Sequence, residues 1–304
     1  MGLFDGKVAI VTGAGRGIGR EEALLFANGG AAVIVNDLGG ARTGEGSDGG
    51  PAQQVVEEII AAGGNAAANT DDIATWAGGE RIVNQAIKTF GGLDILVNNA
   101  GILRDKMSFN MTEEEWDSVI NVHLKGHFAP ARFAAGYWRQ KSKESGESVN
   151  AKIINTSSES GLYGNAGQAN YAAAKAGIAS MTIVLARELE RFGVRVNAIA
   201  PVALTRLTED LMGGVAEDQA AKAALDPANV AAAVGWLASD LSDGVNGQVV
   251  KIGGGVCQIL EGWRPVSEIT STETFTVEGI AGAHAELFAG RESSIPPFLL
   301  KIER

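Results

Sequence analysis

The sequence predicts an α/β protein with one doubly wound parallel sheet of about seven strands and helices on both faces. Short runs rich in β-branched residues alternate with longer stretches of helical pattern. Several short runs, such as residues 8–11 and 33–35, are apolar throughout, which is typical of parallel strands buried on both faces. The stretches between them are long enough to hold crossover helices, and this alternation favours a doubly wound sheet.

Seven segments have the composition of buried strands, and two regions interrupt the alternation. The predicted strands lie at residues 8–12, 32–36, 65–69, 94–98, 152–156, 194–199 and 248–252. Residues 39–51 form a glycine-rich loop without an apolar period. We expect one domain over residues 1–255 and a C-terminal extension over residues 256–304. The extension contains Trp263, Phe275, Phe288 and Phe298, so we expect it to pack on the body or on a neighbouring subunit.

The composition narrows the possible classes of function. The 304 residues carry a formal net charge of −11, so the chain has no general electrostatic reason to bind nucleic acid or an anionic membrane. Cys257 is the single cysteine, and a chain that cannot form an internal disulfide fits a reducing cytoplasm. We find no signal-peptide pattern and no apolar run of about 18 residues that would span a bilayer. We therefore expect a cytoplasmic protein, and we predict no metal site.

A glycine-rich turn follows the first predicted strand and opens a helix. Its candidate cofactor-binding residues are Gly13, Arg16, Gly17, Ile18 and Gly19. Glycines let the backbone turn sharply and approach a pyrophosphate, while the helix N-terminus presents free N–H groups to it. A glycine cluster alone also fits a plain tight turn, but its place between a strand and a helix favours a dinucleotide site.

The second predicted strand ends at Asp37, about twenty residues after the glycine turn. A carboxylate at this position accepts hydrogen bonds from the ribose hydroxyls of NAD and repels the 2′-phosphate of NADP. Asp37 therefore favours NAD, although Arg16 in the turn is able to bind that phosphate. The alternative for Asp37 is a loop residue that caps a turn.

Tyr171 and Lys175 are one turn apart at the start of a predicted helix and so share one face of it. A lysine beside a phenol favours the phenolate, which can act as general base for alcohol oxidation or, once protonated, as general acid for ketone reduction. Ser158, just past the fifth predicted strand, can hold the substrate oxygen as charge develops on it. A tyrosine and a lysine at this spacing alone also fit a surface pair. The accompanying serine, glycine turn and Asn98-Asn99-Ala100-Gly101 segment favour a catalytic set.

These motifs, taken together, resemble the classical short-chain dehydrogenase/reductase family. The matching residues, in order and spacing, are Thr12-Gly13, Gly17, Gly19, the Asn98-Asn99-Ala100-Gly101 segment, Ser158, Tyr171 and Lys175. The resemblance covers about residues 5–255 and implies a Rossmann-like fold, an NAD(P) cofactor and a homodimer or homotetramer.

The resemblance also implies roles that the residues alone do not indicate. It implies that Lys175 holds the nicotinamide ribose and that the catalytic set is Ser158, Tyr171 and Lys175. It places residues 72–73 beside the adenine, Asn99 near the adenosine ribose, and residues 201–205 over the nicotinamide. The further cofactor-binding positions are therefore Asp72, Ile73, Asn99, Ala100, Gly101, Pro201, Ala203 and Thr205.

Residues 35–40, 100–105, 122–126 and 163–171 carry a closer resemblance. They are similar to the (3R)-hydroxyacyl-CoA dehydrogenase part of the peroxisomal multifunctional enzymes of type 2 and to its actinobacterial single-domain relatives. That group acts on acyl-CoA thioesters, including those from steroid side chains. The long loop after Asp37 and the C-terminal extension also suit this group.

Two positions depart from the classical pattern. His123 stands where the family places the asparagine of Asn-x-x-Gly, and Asn121 lies two residues earlier. His123 is a candidate catalytic residue that supports a water beside the lysine, and an ordinary buried, hydrogen-bonded histidine is the alternative. Val202 follows Pro201 where the family has glycine, so the added side chain is expected to narrow the substrate pocket or alter the loop.

The leading hypothesis is an NAD-dependent oxidoreductase that interconverts a secondary alcohol and a ketone on a 3-hydroxyacyl-CoA thioester. Two alternatives keep the same chemistry: a hydroxysteroid dehydrogenase and an NADPH-dependent 3-oxoacyl reductase. A non-catalytic dinucleotide-binding scaffold and a purely structural subunit belong to different classes. The presence of Ser158, Tyr171 and Lys175 argues against the scaffold, and turnover by the purified homo-oligomer would exclude the structural subunit.

Overall fold

The strands form a single eight-stranded sheet in a computed structural model that describes residues 2–41, 43–46, 48–205, 219–291 and 294–295. The strands are β1 (Val8–Thr12), β2 (Ala32–Asn36), β3 (Asn65–Asn69), β4 (Ile95–Asn98), β5 (Ala151–Thr156), β6 (Val194–Val202), β7 (Val249–Gly253) and β8 (Val256–Leu260). Their order is β3-β2-β1-β4-β5-β6-β7-β8, and every neighbouring pair is parallel except β7 and β8.

Helices cover both faces of the sheet. They are α1 (Gly17–Asn28), α2 (Gly50–Ala61), α3 (Trp76–Phe90), α4 (Glu113–Ile120), α5 (Gly126–Ser145), α6 (Glu159–Tyr163), α7 (Ala169–Leu189), α8 (Gln219–Ala224), α9 (Pro227–Ala238), α10 (Val277–Gly282) and α11 (His284–Phe288). A π-helical turn, Asn121–Lys125, joins α4 to α5. Among the residues that the structure describes, no helix is long and apolar enough to cross a bilayer.

Alternate side chains of the central strands enter two separate hydrophobic cores. Ala9 and Val11 of β1 pack with α1, α2 and α9, whereas Val8 and Ile10 pack with α3, α5 and α7. This two-sided burial explains why the strands are apolar at successive positions. The doubly wound fold predicted from the sequence is confirmed, and the seven predicted strands match β1 to β7 with ends that differ by no more than three residues.

The strand order reverses between β1 and β4, which are neighbours although β2 and β3 lie between them in the chain. The connections on the two sides of this point leave in opposite directions, so a crevice opens at the carboxyl ends of the strands. The turns after β1, β2 and β4 all meet at this crevice. The fold therefore brings the predicted glycine turn, Asp37 and the segment after Asn98 to one place.

The C-terminal region adds one strand that the sequence analysis did not identify. Strand β8 pairs antiparallel with β7, and Val256 lies opposite Gly253. Beyond β8, α10 and α11 expose most of their side chains, and Trp263 is 98% exposed. Residues 296–304, including Phe298, lie outside the described residues. The predicted packing of the extension on the body or on a neighbouring subunit remains a prediction.

Candidate active site

The turn between β1 and α1 has the geometry of an anion-binding cradle. Gly13 and Gly17 have φ angles of +65° and +55°, a region that residues with a Cβ rarely adopt. A Cβ on Gly13 would lie 2.7 Å from the Cα of Ala100, so glycine is needed for this close approach. No side chain caps the start of α1 at Arg16, so the first-turn N–H groups are available to an anionic group in the crevice.

Hydrogen bonds tie the glycine turn to the end of β4. The hydroxyl of Thr12 accepts from the amide nitrogens of Asn99, at 3.0 Å, and Ala100, at 3.2 Å. The side-chain amide of Asn99 donates to the carbonyls of Thr12 and Gly13. A Cβ on Gly19 would lie 2.4 Å from the carbonyl oxygen of Gly13, so helix and turn are in direct contact.

Asp37 follows β2 and faces the glycine turn across the crevice. One carboxylate oxygen accepts from the amide of Gly15 at 2.9 Å, and the other accepts from the amide of Gly39 at 2.7 Å. The carboxylate therefore has a fixed orientation and also caps its own turn. Arg16 is exposed at the rim of the same crevice.

Most of the predicted cofactor-binding residues line one continuous groove. Those that line it are Gly13, Arg16, Gly17, Ile18, Asp37, Asp72, Ile73, Asn99, Ala100, Gly101 and Thr205. Gly19 supports the turn from behind, and Ala203 is buried in the core on the α1 side. Pro201 lies at the end of β6, paired with Ile252.

Ser158 and Tyr171 are brought together because α6 and α7 pack closely. Ser158 is the N-cap of α6, where its oxygen accepts from the amide of Ser160, and its hydroxyl donates to the Tyr171 phenol. A Cβ on Gly161 would lie 2.5 Å from the amide nitrogen of Ala176, so glycine permits this contact. The structure thus places the predicted serine within hydrogen-bond reach of the predicted tyrosine.

Lys175 lies one turn below Tyr171, as the spacing predicted, and only 2% of its surface is exposed. Its ammonium nitrogen is 5.5 Å from the centre of the Tyr171 ring and donates to the carbonyl oxygen of Thr156 at 2.6 Å. The hydroxyl of Ser157 donates to the carbonyl of Lys175 at 2.9 Å. These contacts fix α7 against the end of β5.

Burial dominates the electrostatics of the tyrosine and the lysine. It raises the pKa of Tyr171 to about 12; the hydrogen bond from Ser158 opposes this rise, and the charge of Asp105 adds to it. Burial lowers the pKa of Lys175 to about 7. Desolvation disfavours the charged form of each group, so Tyr171 is neutral near pH 7 and Lys175 changes its charge close to that pH.

His123 lies in the π-helical turn and is buried beside Tyr171, with the two rings 5.0 Å apart edge to face. Its Nε2 lies 2.8 Å from the carbonyl oxygen of Ile102 and 3.1 Å from the amide nitrogen of the same residue. Burial lowers the pKa of His123 well below its usual value, and the charge of Lys175 lowers it further. The histidine is therefore neutral and contacts the backbone that borders the groove.

The chain matches the family described as short chain dehydrogenase over residues 7–212, which is more than half of its length. The chain belongs to the short-chain dehydrogenase family. Its members are oxidoreductases of CH–OH groups that bind a nicotinamide dinucleotide. The uncapped helix start, the close approach at Gly13 and the groove that continues to Thr205 all fit such a cofactor.

Three comparisons describe the relatives of this short-chain dehydrogenase. A hydroxyacyl-CoA dehydrogenase, ChsB1, of Mycobacterium tuberculosis is 49% identical over 252 residues, which cover 81% of this chain and 77% of the relative. Peroxisomal multifunctional enzyme type 2 of Mus musculus is 44% identical over 83% of this chain, and the match spans 32% of that longer protein. A short chain dehydrogenase from Mycobacterium avium has a crystal structure with a TM-score of 0.84 and 46% identity, covering 97% of this chain and 99% of the other.

Other residues of this short-chain dehydrogenase site were not identified from the sequence. The loop after β2 lines the groove through Leu38, Gly40, Ala41 and Gly44. The Asn170 side chain donates to the carbonyls of Arg104 and Glu115, which fixes the start of α7. No local sequence signal identifies such contacts because their partners are distant in the chain.

Proposed function

We propose that this short-chain dehydrogenase is an NAD-dependent enzyme that oxidises a 3-hydroxyacyl-CoA thioester to the 3-oxo thioester, or catalyses the reverse reaction. The observation that carries the proposal is the convergence of Ser158, Tyr171 and Lys175 beside His123, which contacts Ile102 in the wall of the groove. The thioester is supported by similarity to ChsB1 and to the peroxisomal multifunctional enzyme. A hydroxysteroid or an acyl-carrier thioester fits the same catalytic residues.

Ser158, Tyr171 and Lys175 have different roles at the substrate oxygen. The Ser158 hydroxyl donates a hydrogen bond that holds this oxygen as negative charge develops on it. Tyr171 removes the hydroxyl proton during oxidation and returns it during reduction. The charged form of Lys175 favours the phenolate of Tyr171 by placing positive charge near it. When bound, the nicotinamide accepts or supplies the hydride.

Replacement of Tyr171 tests the proposed reaction. Tyr171→Phe keeps the ring and removes the proton-transferring hydroxyl, so we expect kcat to fall by about 10²–10⁴-fold with unchanged cofactor binding. The assay follows absorbance at 340 nm with (3R)-hydroxyacyl-CoA thioesters and steroid alcohols as substrates. Tyr137→Phe, on α5 away from the groove, is the matched control. Unchanged kcat in Tyr171→Phe would exclude Tyr171 as the acid–base group.

We further propose that Asp37 selects NAD over NADP. Its carboxylate is fixed by Gly15 and Gly39 at the rim of the groove, where a 2′-phosphate would meet a like charge. Asp37→Asn retains an acceptor for the loop and removes the charge. We expect this variant to bind NADP more tightly relative to NAD, by about tenfold, since repulsion between close like charges costs on the order of 1 kcal/mol or more. Titration of each cofactor by fluorescence measures the ratio, and an unmoved ratio would contradict the assignment.

We also propose that the enzyme acts in the cytoplasm as a homodimer or homotetramer. The single cysteine supports a reducing compartment, and family resemblance supports the homo-oligomer. Light scattering on the purified protein measures the subunit number directly. A monomer that turns over substrate would contradict the proposed assembly without affecting the catalytic assignment.

A further inference from the structure

Several polar atoms near the catalytic lysine are buried without a hydrogen-bond partner among the described residues. They are Nδ1 of His123, Nε2 of His127 and Oγ1 of Thr156. His127 lies in the first turn of α5 and is 1% exposed. The mechanism proposed above gives it no role. Buried polar groups in proteins are rarely left unpaired, so an unpaired one requires an explanation.

His127 and Lys175 approach the same carbonyl group. The ammonium nitrogen of Lys175 donates to the carbonyl oxygen of Thr156 at 2.6 Å. The His127 ring also contacts the backbone carbonyl of Thr156, as well as that of His123 one turn earlier. The titratable groups that act on His127 are Lys175 from α7 and His123 from the π-helical turn.

The hydrogen-bonding capacity of these groups is complementary. A lysine ammonium has three N–H donors, and Thr156 accepts from one of them. Burial and the charge of Lys175 lower the pKa of His127 well below its usual value, so the imidazole is neutral, with one donor and one acceptor nitrogen. Nε2 is the buried nitrogen without a partner among the described residues, and it is the acceptor when the proton is on Nδ1.

We propose that His127 is a positioning residue for the reaction, whose Nε2 accepts a hydrogen bond from the Lys175 ammonium, directly or through one ordered water. The inference rests on the proposed function, because it assigns His127 a role through the catalytic lysine. His127 does not touch the substrate in this scheme. The hydrogen bond to His127 stabilises the charged form of Lys175. It also holds the Lys175 ammonium on the helix face that Lys175 shares with Tyr171.

This arrangement has a consequence for the pH dependence of turnover. Burial lowers the pKa of Lys175 to about 7, so loss of an acceptor makes the ammonium lose its proton at still lower pH. A neutral lysine no longer favours the phenolate of Tyr171. We therefore expect the alkaline limb of the kcat profile to move to lower pH in His127→Phe by about one unit. At pH values above the alkaline limb, a shift of one pH unit lowers kcat about tenfold.

The experiment compares kcat between pH 5 and pH 10 for wild type, His127→Phe and His127→Gln. Glutamine supplies an acceptor oxygen, so we expect His127→Gln to restore the position of the limb. His284→Asn, on exposed α11, controls for loss of a histidine and is expected to match wild type. A folded His127→Phe that binds NAD and keeps the wild-type limb would overturn the inference. Activity in Tyr171→Phe would instead overturn the proposed function on which it rests.

A second measurement does not depend on activity or on the folding of the phenylalanine variant. ¹⁵N NMR of histidine-labelled wild-type protein reports which ring nitrogen carries the proton, and His284→Asn and His127→Gln assign the three signals. We expect His127 to be neutral at pH 7 with its proton on Nδ1. A proton on Nε2 would remove the acceptor and overturn the inference.

Discussion

Glu22, on the buried face of α1, is an ionisable residue in apolar surroundings. Its side chain is 0% exposed, and neither carboxylate oxygen has a hydrogen-bond partner among the described residues. Burial raises the pKa of this carboxyl well above its usual value. The folded protein therefore holds a proton at pH values where the unfolded chain has lost it. Stability is greatest below the unfolded pKa and falls as pH rises toward the folded pKa.

The substitution Glu22→Gln removes this titration and keeps the shape of the side chain. We expect its free energy of unfolding to exceed that of wild type by about 1–3 kcal/mol at pH 8 and by much less at pH 4.5, since only the ionised carboxyl opposes burial. Urea unfolding at the two pH values measures the difference. Glu80→Gln, on the exposed face of α3, should show no such pH dependence. An equal effect of Glu22→Gln at both pH values would point to packing and not to ionisation.

The contacts of single residues can be predicted from the sequence when the two partners are near each other in the chain. Tyr171 and Lys175 share a helix face because the helix repeat sets their separation, and the structure keeps that relation. No sequence pattern pointed to His127, because it contacts the backbone carbonyl of Thr156, which lies in a strand distant in the chain. The double role of Asp37, which faces the groove and caps a turn, likewise depends on the amide of Gly15 beyond the intervening helix.

The loop after β2 is an element whose position depends on one arginine. Arg104 donates from Nε to the carbonyl of Thr43 at 2.9 Å and forms an ion pair with Glu114 of α4 at 3.1 Å. A Cβ on Gly44 would lie 3.0 Å from the side chain of Ile102, so the loop reaches across the groove. Arg104 therefore connects the loop to the opposite wall of the cofactor groove.

We expect Arg104→Ala to release bound NAD faster than wild type, by about two- to fivefold. The ion pair with Glu114 is exposed at one partner, so it contributes less than about 1 kcal/mol and its effect shrinks at high salt. Stopped-flow fluorescence of NAD displacement at low and high ionic strength measures the release rate. Arg139→Ala, exposed on α5, is the control. A release rate equal to wild type at low salt would show that the loop does not limit cofactor exit.

Elements buried on both faces were predictable, and elements at the margin were not. Strands β1 to β7 are recognisable as apolar runs because their alternate side chains pack in the hydrophobic clusters on the two faces of the sheet. Strand β8 exposes Cys257 and Ile259 and lacks a buried alternating face, so its pairing with β7 left no pattern. The π-helical turn that carries His123 also has no characteristic amino-acid composition, since it differs from an α-helix only in its backbone hydrogen bonds.

The C-terminal extension, residues 256–304, is the part of the molecule whose packing the isolated chain leaves open. Beyond β8 the described extension exposes large apolar side chains, with Trp263 at 98% and Val277 at 80% exposure. Exposed apolar side chains of this size are typical of surfaces that pack on a partner when they form one contiguous patch. We therefore propose that residues after β8 pack on a second copy of the chain, whereas β8 itself completes the sheet of its own domain.

Two truncations distinguish these parts. A chain that ends at Gly262 keeps β8, and we expect its Tm to fall by no more than about 2–4 °C, the shift that about 1 kcal/mol gives in a domain of this size. We also expect it to associate less than the full chain in light scattering. A chain that ends at Gly255 leaves β7 as an unprotected edge, so we expect aggregation or a much larger loss of Tm. If the Gly262 chain associates as fully as the full chain but loses much more Tm than this, the extension packs on its own domain and the proposed contact with a second copy is wrong.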